Sequence, residues 1–210
     1  MKKILTLLFF GILFSCSNDD STTNDNTNPD PNPTPTSYTL GGIGPGGGRI
    51  FYLDANGQHG LEVSAVLGQV KWGYQGDGPY SIIIGLETTI GTGAENTNKI
   101  VTYFGNGNGV YAAKLCDDLI QNGKDDWYLP SKDELIKIYQ YYKYGPACLD
   151  CFSINETLWS SSQNQSGNSC PVCPWIIDLG GLSSNYPDSV IKYESPHPNF
   201  TLHVRAIRNF

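Results

Sequence analysis

The residues most able to do chemistry in this 210-residue chain are its cysteines. Cys148-Leu149-Asp150-Cys151 and Cys170-Pro171-Val172-Cys173 are two C-x2-C pairs separated by 18 residues, within the spacing of a four-thiolate zinc knot. Four thiolates can close a tetrahedral zinc site that staples two loops. The same four side chains can form disulfides, which an exported chain favours because it meets oxidising conditions. Four cysteines allow three pairings, and spacing does not choose among them. A redox-active thiol is the third alternative, although neither pair has the strand-to-helix setting of a thioredoxin-like site. Under each reading Cys148, Cys151, Cys170 and Cys173 are structural residues, holding either a disulfide framework or zinc.

Cys16 belongs to different chemistry. Lys2 and Lys3 precede an apolar run from Ile4 to Phe14 that is too short to span a bilayer as a helix, the pattern of a signal peptide. The run ends in Leu13-Phe14-Ser15-Cys16, which resembles a bacterial lipobox, so Cys16 is expected to become the first mature residue and to carry lipid. Residues 17–37 are almost wholly Asn, Asp, Thr, Ser and Pro; they lack the apolar surface needed to offset ordering and read as a tether. The division is therefore a signal peptide over 1–15, a lipidated cysteine and tether over 16–37, and a folded domain over 38–210. Ser17-Asn18-Asp19-Asp20 looks like the acidic export signal of surface lipoproteins, which places the chain on the outer membrane facing outward, with a periplasm-facing anchor as the alternative.

Loss of residues 1–15 removes Lys2 and Lys3 from the 13 basic residues and none of the 20 acidic ones, leaving a net charge of −9. This balance argues against nucleic acid and polyanions as bulk electrostatic partners. The expected partners are the membrane, through the anchor, and a glycan or surface protein.

Other conspicuous residues have bland alternatives. Gly42, Gly44 and Gly47 satisfy G-x-G-x-x-G, but Arg49-Ile50-Phe51-Tyr52-Leu53 follows as a strand where a phosphate loop needs a helix N-terminus. The run reads as a turn with positive φ angles. Trp72 and Tyr74, among Gly73, Gly76 and Gly78, could stack on sugar rings or seal the core beneath a long loop. His59 reads as an exposed turn residue, Cys116 as a buried small hydrophobe, and Asp117, Asp118, Asp125 and Asp126 lack calcium-loop spacing. Ser160, Ser161 and Ser162 have no adjacent base, and His59, His197 and His203 form no motif with the cysteines. No catalytic residue is nominated.

The elements that position these residues follow from pattern. Ser131 and Glu134 form a capping box for a helix from Lys132 to about Lys143, and Pro130 stops any helix arriving from upstream. Helices are also expected over Thr97–Phe104 and Val110–Gln121, the second capped near Gly123. Strands are expected at Arg49–Leu53, Leu61–Ala65, Leu158–Ser162, Trp175–Leu179, Val190–Tyr193 and Leu202–Ile207. Two to three helices among short, turn-linked strands indicate an α+β domain with an antiparallel sheet.

Several phrases then align in order: Gly47-Gly48-Arg49-Ile50-Phe51-Tyr52, His59-Gly60-Leu61, Tyr111-Ala112-Ala113 through Cys116-Asp117-Asp118-Leu119, Asp125 through Leu135, Leu158-Trp159-Ser160-Ser161-Ser162, and Val204-Arg205-Ala206-Ile207-Arg208. Over about residues 43–210 they resemble the family of the Legionella collagen-like adhesin C-terminal domain (Lcl C-terminal-like). More distantly, they resemble the C-type-lectin-like and formylglycine-generating-enzyme-like group. The resemblance implies a compact C-type-lectin-like fold and binding or adhesion at a cell surface. It also implies sulfated glycosaminoglycan as the founding member's ligand, which the acidic mature chain is not built to attract. The alternatives are an enzyme of the formylglycine-generating type or a structural envelope component.

Overall fold

The computed structural model describes residues 36–73, 82–105, 107, 109–148, 151–164, 172–180, 191–192 and 200–210. Chain contacts separate Met1–Thr34 from Pro35–Phe210. Cys16, Tyr74, Cys170 and His197 lie outside the described residues. Within them no helix is long and apolar enough to cross a membrane.

The second unit is α+β. Strands β1 (Arg49–Leu53), β2 (Gly60–Val63) and β3 (Gly68–Val70) precede α1 (Gly93–Phe104), α2 (Ala112–Asp117) and α3 (Lys132–Tyr144). Strands β4 (Thr157–Gln163), β5 (Pro174–Asp178), β6 (Ile191–Lys192), β7 (Leu202–Val204) and β8 (Ile207–Asn209) follow. One sheet has the order β1-β2-β8 and the other β3-β7-β4-β5-β6. Strands β1 and β2 pair as an antiparallel hairpin, with Arg49 opposite Val63 and a bulge between Ile50 and Tyr52. The larger sheet is mixed instead of purely antiparallel, because β4 and β7 run parallel at Leu158 and His203.

The capped helix forms as its sequence dictates. Ser131 Oγ accepts from the Glu134 amide and Glu134 returns a 2.7 Å bond from the Ser131 amide. Ahead of it the extended segment alternates sides: Trp127 and Leu129 enter a core with Ile100, Phe104 and Trp159. Tyr128 enters another core with Leu61, Leu135, Leu158 and Ile177. Successive residues of an extended chain point to opposite sides, so three residues tie two cores together. Tyr128 also exchanges two 2.9 Å backbone bonds with Ile207, attaching the segment to β8.

Three expectations are corrected. The first helix starts at Gly93, not Thr97; Thr97 lies inside it, its hydroxyl donating to the Gly93 carbonyl and accepting from the Leu129 amide. The second helix stops at Asp117, because Asn122 and Gly123, both at positive φ, make a two-residue hairpin turn closed by paired Gln121–Lys124 bonds. Asn-Gly is the preferred sequence for that turn, and it outweighs continuation of the helix. The terminal strand breaks at Arg205-Ala206, so that β7 joins one sheet and β8 the other. Arg205 there leaves strand pairing for a buried partner, Glu156.

Candidate functional site

Most of the polar side chains that stand out in the sequence are consumed inside the fold. Glu62 in β2 is fully buried. Its two carboxylate oxygens accept 2.7 Å bonds from the amides of Gly46 and Gly48, and Arg208 Nη1 adds a third at 2.7 Å. Arg208 Nε and Nη2 donate to Asp126 at 2.6 and 2.9 Å, and these bonds hold the Asp126 carboxyl below its ordinary range. The glycine run therefore does wrap an anion, as such loops can, but the anion is the protein's own. A methyl group on Gly44 would stand 2.5 Å from Glu62 Oε2, and one on Gly48 2.9 Å from the Trp127 ring. Close approach to Glu62 and Trp127 requires glycine at these two positions, whereas positive φ in the run is confined to Gly41 and Gly47.

Two further carboxylates are buried. Glu156 binds Arg205 through both oxygens, at 2.6 and 2.8 Å, while Arg205 Nη1 donates to the Ser64 carbonyl and its guanidinium lies 4.5 Å from the Phe152 ring centre. Glu134 accepts from the amides of Ser131 and Gly91 at 2.7 and 2.9 Å; burial still pushes its carboxyl above the usual value, the backbone donors partly offsetting that. The three serines are buried linkers: Ser162 Oγ donates to the Glu87 carbonyl at 2.6 Å and accepts from the Lys132 amide, and Ser161 Oγ accepts from Asn96. Cys116 is fully buried, and desolvation drives its thiol far above the ordinary range, the opposite of what a nucleophile needs.

The C-x2-C pairs take the disulfide alternative where they are described. Cys148 and Cys151 are bonded to each other with their Cα atoms 5.4 Å apart, and Cys173 is disulfide-bonded as well. A bonded Cys148–Cys151 pair leaves those two sulfurs without thiolates to offer a metal. Among the described residues no group of three or more His, Cys, Asp or Glu side chains is placed to hold a metal ion.

Trp72 is also corrected as a ligand platform. It is 3 % exposed, donates a 2.7 Å bond to the Ser160 carbonyl and meets Phe104 edge to face. The Trp72 ring itself packs in the core, the alternative that its glycine-rich surroundings left open.

Open aromatic surface gathers elsewhere, between β1 and α3. A groove of about 350 Å³ is lined by Leu40, Tyr52, Lys137, Gln140, Tyr141 and Tyr144, among others. Helical spacing puts Lys137, Gln140, Tyr141 and Tyr144 on one side of α3, three and four residues apart. Tyr52 reaches the groove from β1, where the bulge precedes it. Tyr144 is 74 % exposed, whereas Tyr141 forms a buried floor. Lys137 lies 5.6 Å from the Tyr52 ring centre, and Lys143 lies 5.2 Å from that of Tyr144. A signal for this groove was present in Tyr139-Gln140-Tyr141-Tyr142-Lys143-Tyr144, but a tyrosine stripe reads first as a core face, and only the position of β1 separates Tyr141 from Tyr144.

A second hollow, of about 420 Å³, lies near His59, Lys124, Arg208 and Phe210. Its arginine already serves Glu62 and Asp126, and His59 Nδ1 sits 3.2 Å from the Phe210 carbonyl oxygen. Its arginine and histidine are therefore already engaged.

No family model matches the chain, and no curated protein matches it.

Proposed function

We propose that this chain is a surface lipoprotein, anchored through Cys16 on the outer membrane and displaying a non-enzymatic binding domain whose working surface is the β1–α3 groove. The observation that carries this reading is the contrast in how side chains are used. Glu62, Glu134, Glu156, Arg205, Arg208 and the Ser160–Ser162 run are committed to internal bonds. The ring of Tyr144 is left open, and that of the half-buried Tyr52 partly so, beside Lys137 and Gln140. Clefts with aromatic walls and a few polar groups at the rim are the usual form of a binding site. The resemblance to the Lcl C-terminal-like family supports surface adhesion as the purpose, and the signal peptide and tether support display.

An enzyme of the formylglycine-generating type would need a reactive thiol. The buried Cys116 and the bonded Cys148–Cys151 pair weigh against it. Palmitate labelling of cells expressing the chain, combined with protease treatment of intact cells, tests anchoring and display. Lipid incorporation lost in Cys16→Ala, with domain fragments released from intact cells expressing the unaltered chain, is expected. Unlabelled chain in the soluble fraction would overturn it.

A further inference from the structure

Resting on the reading of the groove as the working surface, we infer that its ligand is a neutral saccharide, engaged through the apolar face of a pyranose ring on Tyr144 and Tyr52. Size argues first. A stable protein partner needs roughly 1,000 Å² or more of complementary surface, whereas a groove of about 350 Å³ fits a small-molecule cleft. One or two units of a glycan chain can lie in such an open trough while the rest of the chain extends into solvent.

Chemistry argues next. A pyranose presents a face of C–H groups and a rim of hydroxyls, so it needs a flat apolar surface beside groups that both donate and accept. Tyr144 and Tyr52 supply ring surface at low entropy cost. Gln140 is exposed on the same side of α3 and offers a carbonyl and an amide to adjacent hydroxyls. Lys137, three residues before Gln140 on the same side of α3, adds donors. The ammonium groups of Lys137 and Lys143 already lie over Tyr52 and Tyr144, which orients the rings before a ligand arrives.

Charge selects among saccharides. A mature chain of net charge −9 repels a polyanion at long range. The two lysines beside the groove are engaged with aromatic faces and do not form a cluster matched to sulfate or carboxylate arrays. The ligand should therefore bind with little dependence on salt, in contrast to an anionic glycan, whose affinity would fall as salt rises.

The test titrates the full chain, solubilised through its anchor, with neutral hexose and N-acetylhexosamine oligosaccharides and, in parallel, with uronate-bearing and sulfated ones, at low and high salt. At least one neutral oligosaccharide is expected to bind with salt-insensitive affinity, weakened about tenfold by Tyr144→Ala and also weakened by Gln140→Ala. Both residues are exposed, so near-native melting curves would separate lost binding from lost folding. Binding confined to charged saccharides, with steep salt dependence, overturns the neutral ligand while leaving the groove in place if Tyr144→Ala abolishes it. Silence toward every neutral oligosaccharide also overturns the inference. Binding of any ligand that is unchanged in both variants overturns the groove itself.

Discussion

The glycine-wrapped Glu62 cluster and the tyrosine groove use similar residue types to opposite ends. Around Glu62 two loop amides and Arg208 converge on one carboxylate, and Arg208 continues to Asp126. In the groove, rings and long side chains meet by loose cation–aromatic contact, and Tyr144 and Gln140 stay exposed. A buried carboxylate is tolerable only when it is fully bonded, so the first region holds the fold. An exposed aromatic needs no such partner, so the second is free to bind.

The largest test of that contrast is Glu62→Ala. It leaves Arg208 Nη1 and two glycine amides buried without their acceptor and should cost about 3–5 kcal/mol, read as a lower urea midpoint. A loss below about 1 kcal/mol would mean that the cluster behaves like a surface ion pair. Next, Gly44→Ala should cost about 1–3 kcal/mol by overpacking against Glu62. Gly107→Ala meets nothing within 4 Å and should be near neutral in the same melting assay.

Two carboxyls give opposite pH signatures. Asp126, held low by Arg208, contributes stability that is present above its unfolded value and lost as pH falls through its lower folded value. Asp126→Asn should therefore flatten the loss on the acid side. Glu134, held high by burial, contributes stability that is present below its unfolded value and lost as pH rises through its higher folded value. Glu134→Gln should flatten that decline. Urea midpoints across pH would check both, and curves unchanged from the unaltered chain would refute the assignments. The smallest effect is expected at Tyr144→Ala, within about 0.5 kcal/mol in stability because the ring is already exposed. A larger loss would make Tyr144 part of the core and not of the groove.

Local chemistry was legible where one short segment decides its own structure. Ser131 and Glu134 satisfy each other within one turn, and Arg49–Leu53 and Gly60–Val63 pair across a short turn. Those features follow from spacing alone, as does the α+β composition. The break at Arg205 was not legible, because Val204 through Ile207 reads as a continuous strand until Glu156, 49 residues away, captures the guanidinium. Nor was the function of the glycine loop, because its anion, Glu62, arrives from a neighbouring strand.

The sequence by itself determined the capped helix, the hairpin, the class of fold and the internal demand of so many buried-type aromatics. Only the tertiary structure decided that Trp72 is covered and that Tyr144 is open, since exposure depends on what packs above a ring and not on the ring's own neighbours in the chain. The same physics assigned the carboxylates. A charge finds its partner through space, so the fold alone could close Glu62 away and leave Tyr144 facing solvent.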